Sequence, residues 1–342
     1  MKKVVVLGGG NGTSRLLQAL LPLLHDKSLS SLHALIHMAD DGGSTGRLRQ
    51  QYAVGAMGDL TKCLLALSAL RGDIRGDEFL QALEYRFADG DFQGHTLRNA
   101  LLAALELTSS DIDAAIATFA RVLQVPKFTG VIPTTLEALT QQVAIVQNGD
   151  QKILGRGQHF ISWNVNVQED PSWKPEDIRV GFEEADVPLN PRAKKALEVA
   201  THIIIAPGHT YGSILPTLAS LGLDNPEVLM HSRAHITVVM TLLTTPLHTV
   251  GWTGEDFVRV YESYLKRPVD VVIANTGRVP IELVPGQAWV DFSEGDHLYA
   301  LERVDAVRKL DVVQQAHDVV PRPVLVHDQA QMEGIFRRLY GV

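Results

Sequence analysis

Apolar residues along this chain fall in short blocks that switch between two periodicities. Lys3 is followed by Val4-Val5-Val6-Leu7, a continuous run of strand length, and residues 15–24 then place Leu16, Leu17, Leu20, Leu21 and Leu24 at helical spacing. A second apolar run predicts a buried strand over 32–38, and Leu60, Leu64, Leu65, Leu67 and Leu70 predict a helix over 60–70. Another helix is expected from the 94–99 segment through Leu107. Strands over 201–206 and 235–242 follow, the first leading into an apolar helix. Strands that are apolar throughout and separated by helices predict an α/β fold, Rossmann-like, with a mainly parallel, doubly wound sheet.

The middle of the chain breaks this rhythm. Residues 143–146 and 151–154 flank Asn148-Gly149, a hairpin signal, and a further strand is expected within 155–161. The charged stretch 168–184, with Pro171 and Pro175, reads as an exposed connection. The expected organisation is one α/β domain over 1–342 with a small β insertion at about 131–165.

Gly8-Gly9-Gly10-Asn11-Gly12-Thr13 stands between the first strand and the first helix, where unpaired N–H groups and the helix dipole favour phosphate. Gly8 and Gly10 fit the opening of a dinucleotide fingerprint, but Thr13 occupies the place of its last glycine. Asp40 lies 28 positions after Gly12, beyond the spacing of about 20 at which a ribose-binding acid is expected. Nicotinamide-dependent redox chemistry is therefore the weaker reading of this turn.

A denser polar block, Asp40-Asp41-Gly42-Gly43-Ser44-Thr45-Gly46-Arg47, follows the second strand. Two carboxylates can take ribose hydroxyls or Mg²⁺, glycines admit phosphate to backbone N–H groups, and an arginine can fork onto phosphate oxygens. Asp40 and Asp41 are the candidate Mg²⁺ ligands, and Arg47 the candidate phosphate partner. A solvated loop with a helix cap is the plain alternative. Pro207-Gly208-His209-Thr210-Tyr211-Gly212-Ser213 forms another strand-turn-helix junction able to receive phosphate, and a doubly wound sheet would gather such turns at one edge. Asp59, after Gly58, reads either as a helix N-cap or as a site residue. His95 and Asn99 stand four apart, on one face if His95 is helical; capping and a solvated face is the other reading.

The remaining composition narrows the partners. The net charge of −8 disfavours nucleic acid and anionic membranes. The single cysteine, Cys63, excludes an intramolecular disulfide and reads as a small buried helix residue. Only four apolar residues separate the N-terminal lysines from the glycines, so no secretory segment is expected. The longest uncharged stretch, 201–223, is interrupted by Pro207-Gly208 and Pro216 and is not expected to span a membrane. A cytoplasmic protein is expected, with a small-molecule nucleotide as partner and a homo-oligomer compatible with the chain. Nucleophile elbow, phosphate-loop lysine and cysteine-pair motifs are missing, and His235 of the His231/His235 pair opens a strand rather than a metal-binding helix.

Together, Gly8 to Gly12, the Asp40-Asp41-Gly42-Gly43-Ser44 block, Gly58-Asp59-Leu60, Gly94-His95-Thr96-Leu97-Arg98-Asn99, Ile132-Pro133-Thr134-Thr135-Leu136-Glu137 and Pro207-Gly208-His209-Thr210 resemble the CofD/YvcK family. The family comprises 2-phospho-L-lactate transferases and gluconeogenesis factors, and the acidic block is closer to the latter. The resemblance implies one of two functions. One is a non-catalytic UDP-sugar-binding factor affecting central carbon use and cell-wall formation. The other is an Mg²⁺-dependent transferase moving a phospholactyl group from a guanylyl donor onto the deazaflavin precursor of coenzyme F420. The resemblance also implies a nucleotide site built from Gly8, Gly9, Gly10, Asn11, Gly12, Thr13, Asp40, Asp41, Gly42, Gly43, Ser44, Arg47, Gly58, Asp59, His95, Asn99, Pro207, Gly208, His209, Thr210 and Ser213. Asn11, Met57, Thr61, Lys62, His209, Thr210, Gly212, Thr241 and Leu247-His248 depart from family usage, and they touch the expected pocket.

Overall fold

A computed structural model of the chain describes residues 1–167, 169–170, 172–223, 228–293, 299–315 and 318–342. Strand β1 (Lys2–Leu7) sits inside the main sheet because both of its faces are apolar: Val4 and Val6 pack into one core, Val5 and Leu7 into the other. Its parallel neighbours are β2 (Leu29–Ile36), which in turn pairs with β3 (Thr129–Pro133). On its other side lies β7 (His202–Ile205), followed by β8 (His235–Val239), β9 (Val271–Gly277) and β10 (Ala300–Gln315), all parallel. The antiparallel strand β11 (Asp318–His327) completes the eight-stranded order β11-β10-β9-β8-β7-β1-β2-β3.

Helices cover both faces. On the Val4 side pack α1 (Gly10–His25), α3 (Met57–Ala66), α5 (Leu97–Thr108) and α11 (Gln329–Tyr340), through residues such as Leu17, Leu64, Leu102 and Phe336. On the Leu7 side pack α9 (Leu215–Leu221) and α10 (Gly254–Leu265), through Leu218 and Phe257. Each fully buried leucine or phenylalanine in these layers contributes roughly 2 kcal/mol. Cys63 is buried within α3, as its apolar neighbours predict. No described helix is long and apolar enough to cross a membrane.

The insertion differs from its sequence-based outline. β3 belongs to the main sheet, and the small antiparallel sheet consists of β4 (Gln141–Gln147), β5 (Asp150–Arg156) and β6 (Ile178–Phe182), in the order β5-β4-β6. The Asn148-Gly149 hairpin is present, with both residues at positive φ. Its third strand, however, comes from the stretch read as an exposed connection, where Ile178 and Val180 are buried around the half-buried Arg179. The strand expected within 155–161 is instead the end of β5, a turn at Gly157 and helix α7 (Gln158–Asn164). Gln168 and Pro171 of the former connection lie outside the described residues.

Two helices begin earlier than their leucine patterns indicate. α1 starts at Gly10, so the glycine turn is its first turn, and α3 starts at Met57. Asp59 is consequently not an N-cap: Ala56 is, and Asp59 lies inside the first turn, where a carboxylate suits the helix dipole. β2 ends at Ile36, which leaves His37 and Met38 beyond the strand.

Candidate functional site

From β1 the chain crosses to β2 on one side, while β7 lies on the other. The loops leaving the carboxyl ends of β1 and β7 therefore diverge over a crevice, the place where open α/β sheets bind ligands. Here that crevice is a cleft of about 560 Å³. One wall is Gly9, Gly10, Asn11 and Gly12 from the first loop with Pro207, Gly208, His209 and Ser213 from the second. The opposite wall is mainly apolar and includes Val239, Leu242, Leu325 and Met332.

The polar wall owes its shape to close backbone packing. A β-carbon at Gly12 would overlap the Pro207 carbonyl oxygen, so glycine there lets the start of α1 sit against the second loop. Gly9, the N-cap of α1, has no side-chain cap. The first-turn N–H groups are thereby left for a ligand. Thr13 does not share this role, because its buried hydroxyl donates to the Gly9 carbonyl at 3.0 Å. Arg15, one turn further along α1, borders the cleft and supplies a cation that the glycine pattern alone does not single out.

The acidic turn divides its two carboxylates. Asp40 accepts from the Gly42 N–H at 3.0 Å and lies against Gly58 and Thr45, where a β-carbon on residue 58 would crowd it. Burial, and then the neighbouring charge of Asp59, push its pKa up to about 6. Asp59 lies against Gly9 and stands 3.9 Å from the Lys62 ammonium. Asp41 turns the other way and accepts the His159 backbone N–H at 2.7 Å, fastening α7 to the loop. The carboxylate neighbouring Asp40 is Asp59 and not Asp41 as expected; the pair lies behind Gly9, and neither member lines the cleft itself. Among the described residues no group of three or more His, Cys, Asp or Glu side chains is arranged to hold a metal.

Behind the second loop, a π turn (Thr210–Ile214) is held from three directions. His209 Nδ1 accepts the Gly212 N–H at 2.8 Å, while the Gly212 carbonyl lies 3.1 Å from both His37 Nε2 and Gln158 Nε2. His37 Nδ1 accepts the Ala39 N–H, so the proton sits on Nε2. Burial lowers the pKa of His37 against the pull of Asp59. Burial and the adjacent His248 take His209 down to about 4, leaving a neutral ring that brings no positive charge to the cleft at pH 7. Thr210 is buried and hydrogen-bonded to Tyr261 rather than facing the cleft, because the π turn rotates it into the core. His37 and Gln158 had no local sequence signal for these roles, since Gly212 is reached only across the fold.

Ser44, His95 and Asn99 are buried together beside the acidic turn. Ser44, in the first turn of α2 (Gly43–Tyr52), lies 2.9 Å from His95 Nδ1 and accepts from Asn99 Nδ2 at 3.2 Å. His95 precedes α5, so the two meet through Ser44 and not along one helical face. Thr61 is 2.9 Å from Asn99 Oδ1 and accepts from Arg98 Nε at 3.1 Å, and Arg98 pairs with Glu84. This network braces α2, α3 and α5. Arg47 is exposed and donates to the Gln93 carbonyl at 2.5 Å, and Gly42 and Gly43 form the cap and start of α2.

A family model described as 2-phospho-L-lactate transferase CofD matches residues 4–320. The chain belongs to the CofD family. It is 34% identical over 291 residues to the gluconeogenesis factor of Listeria innocua, covering 82% of this chain and 80% of that protein. With the putative gluconeogenesis factor of Thermotoga maritima it shares 32% identity over 292 residues, covering 82% and 81%. A further relative, the putative gluconeogenesis factor of a Nostoc species, is 33% identical over 266 residues, 76% of this chain but only 52% of its own length. A solved structure of a UPF0052-family protein from Bacillus halodurans aligns over 98% of this chain and 99% of its own, with a TM-score of 0.76 at 24% identity, a likeness of fold.

Proposed function

We propose that this CofD-family chain binds a nucleotide or nucleotide sugar, of the UDP-sugar kind, and acts as a gluconeogenesis-factor-type regulator of central carbon metabolism and of cell wall and cell shape. The observation that carries the reading is the meeting of two glycine loops at the strand-order switch, with uncapped helical N–H groups on one wall and apolar residues on the other. The names borne by relatives at 32% and 34% identity support the regulatory branch.

Mg²⁺ is proposed as a companion ion. Two neighbouring carboxylates, one with its pKa raised by burial and then by the charge of the other, suit a divalent cation that would relieve their repulsion. Asp40 and Asp59 would hold it, with water and phosphate oxygens completing its shell. The same pair supports the second reading, phospholactyl transfer to a deazaflavin, in which Mg²⁺ would offset charge on the transferring group. Such transfer also needs an acceptor hydroxyl placed in line. Thr241 at the cleft and Lys62 beside Asp59, two of the departures from family usage, favour binding over transfer.

Mass spectrometry of ligand retained by the native protein, together with a transfer assay, tests the choice. A UDP-sugar is expected in the retained fraction, and no product is expected from deazaflavin acceptor, guanylyl phospholactate and Mg²⁺. Phospholactyl-deazaflavin formation without any UDP-sugar response would reverse the two readings.

A further inference from the structure

A second hollow, of about 220 Å³, lies on the face of the main sheet covered by α9 and α10, and it shares no lining residue with the cleft. Strand β6 forms one side, and the carboxyl-terminal ends of the two helices form the other. Phe182, Leu218 and Leu223 make part of its surface apolar, while Arg179 and Lys266 bring two positive charges. The guanidinium of Arg179 lies 6.0 Å from the centre of the Tyr264 ring. Its Nη1 donates to the Ile178 carbonyl at 3.3 Å and to the Ser263 hydroxyl at 3.4 Å, both long hydrogen bonds. Nε and Nη2, two parallel N–H groups, have no partner among the described residues and keep accessible surface.

Charge in the hollow does not balance. Among the described residues neither Arg179 nor Lys266 is paired with a carboxylate, whereas Arg259 of α10 and Arg267 just beyond it both are. Tyr264 supplies no counter-charge, because burial pushes its pKa up to about 12. The carbonyl ends of the two helices supply at most about half a negative elementary charge each, which leaves about one positive charge uncompensated. A charge partly withdrawn from water is ordinarily paired.

We propose that this hollow is a second ligand site, one that takes a small monocarboxylate with an apolar body. The carboxylate would accept from Nε and Nη2 of Arg179 together, the two-pronged geometry that guanidinium offers, with the Lys266 ammonium alongside. The body would lie against Phe182, Leu218 and Leu223. Sites for drug-sized ligands occupy roughly 300–1,000 Å³, so the hollow suits a smaller molecule than a nucleotide sugar. The inference is independent of the nucleotide-binding reading.

Saturation-transfer NMR titrations with acetate, hexanoate, benzoate, hexanol, benzyl alcohol and phenyl phosphate test it. Hexanoate or benzoate is expected to bind the wild type about tenfold more tightly than the matching alcohol or acetate. Arg179→Gln should lose about that factor for the carboxylates and nothing for the alcohols, Lys266→Gln should lose less, and saturating UDP should leave the carboxylate bound. Equal wild-type affinity for carboxylate and alcohol, or no binding of either carboxylate, overturns the proposal even if a variant fails to fold. Carboxylate binding that a folded Arg179→Gln leaves intact also overturns it, as does displacement by UDP, which would place the carboxylate in the cleft. Tighter binding of phenyl phosphate than of benzoate would overturn the assignment of a carboxylate. A chain that binds these carboxylates but no UDP would fail the nucleotide-binding reading and leave this inference standing.

Discussion

Asp40 is held where its ionised form is disfavoured by burial and by Asp59, with a pKa of about 6 against an ordinary value of 3.8. The linkage has a definite sign. A carboxyl whose folded pKa is raised favours the fold while protonated, so its contribution is fully present below about pH 4 and is lost as pH rises through 6. Asp40→Asn is therefore expected to stabilise the ligand-free protein at pH 7.5 by up to about 3 kcal/mol, with the gain gone at pH 4. Denaturant titrations at the two pH values check this, and an equal gain at both would assign the effect to something other than ionisation. The same variant should weaken any Mg²⁺-dependent part of nucleotide binding. The sequence marks Asp40 and Asp41 as chemically special, yet it hides their divergence. Adjacent residues in a turn point apart, and Asp40 meets a carboxylate 19 positions later only because α3 packs beside the turn.

Helix α7 shows what a short element contributes when its first turn is tied to two loops. Its N-terminus is tied to the acidic turn by the Asp41–His159 hydrogen bond of 2.7 Å and to the π turn by Gln158. Asp41→Ala removes the first tie and is expected to speed amide hydrogen exchange over 157–164, leaving the central strands protected as before. Unchanged exchange there would remove Asp41 from this latching role. Gly12→Ala acts on a different junction, since the added methyl meets the Pro207 carbonyl. It should destabilise by about 2 kcal/mol, the usual scale of forced overpacking, and weaken phosphate binding in parallel. The strand-turn-helix units around both glycine loops were legible because each carries a long apolar run with a turn beside it. β6 was not, since its burial depends on only two apolar residues, Ile178 and Val180, within a charged stretch.

At the scale of the whole molecule, the cleft exists because β1 and β7, nearly 200 residues apart in the chain, are hydrogen-bonded neighbours with Val4 opposite His202. Local pattern foretold parallel strands and two phosphate-suited turns, but strand order is a property of packing and no segment encodes it alone. The helices on both faces fix the two loops relative to one another, so a ligand spanning the cleft engages both halves of the sheet. Binding that recognises only this assembled state must stabilise it by mass action, about 2.7 kcal/mol at one hundred times Kd. For a chain of 342 residues, with an unfolding entropy of roughly 2 cal/mol/K per residue, that corresponds to a Tm increase of roughly 4 °C. UDP-N-acetylglucosamine is expected to give a saturable rise of this order in a thermal-shift titration. The rise should be diminished in Gly12→Ala, and calorimetry below that variant's own Tm should show the weaker binding directly, because the loop proposed to receive the phosphates is then displaced. A rise that survives Gly12→Ala undiminished would place the ligand away from the switch point between β1 and β7, and a flat titration of the wild type would remove the UDP-sugar from the reading altogether.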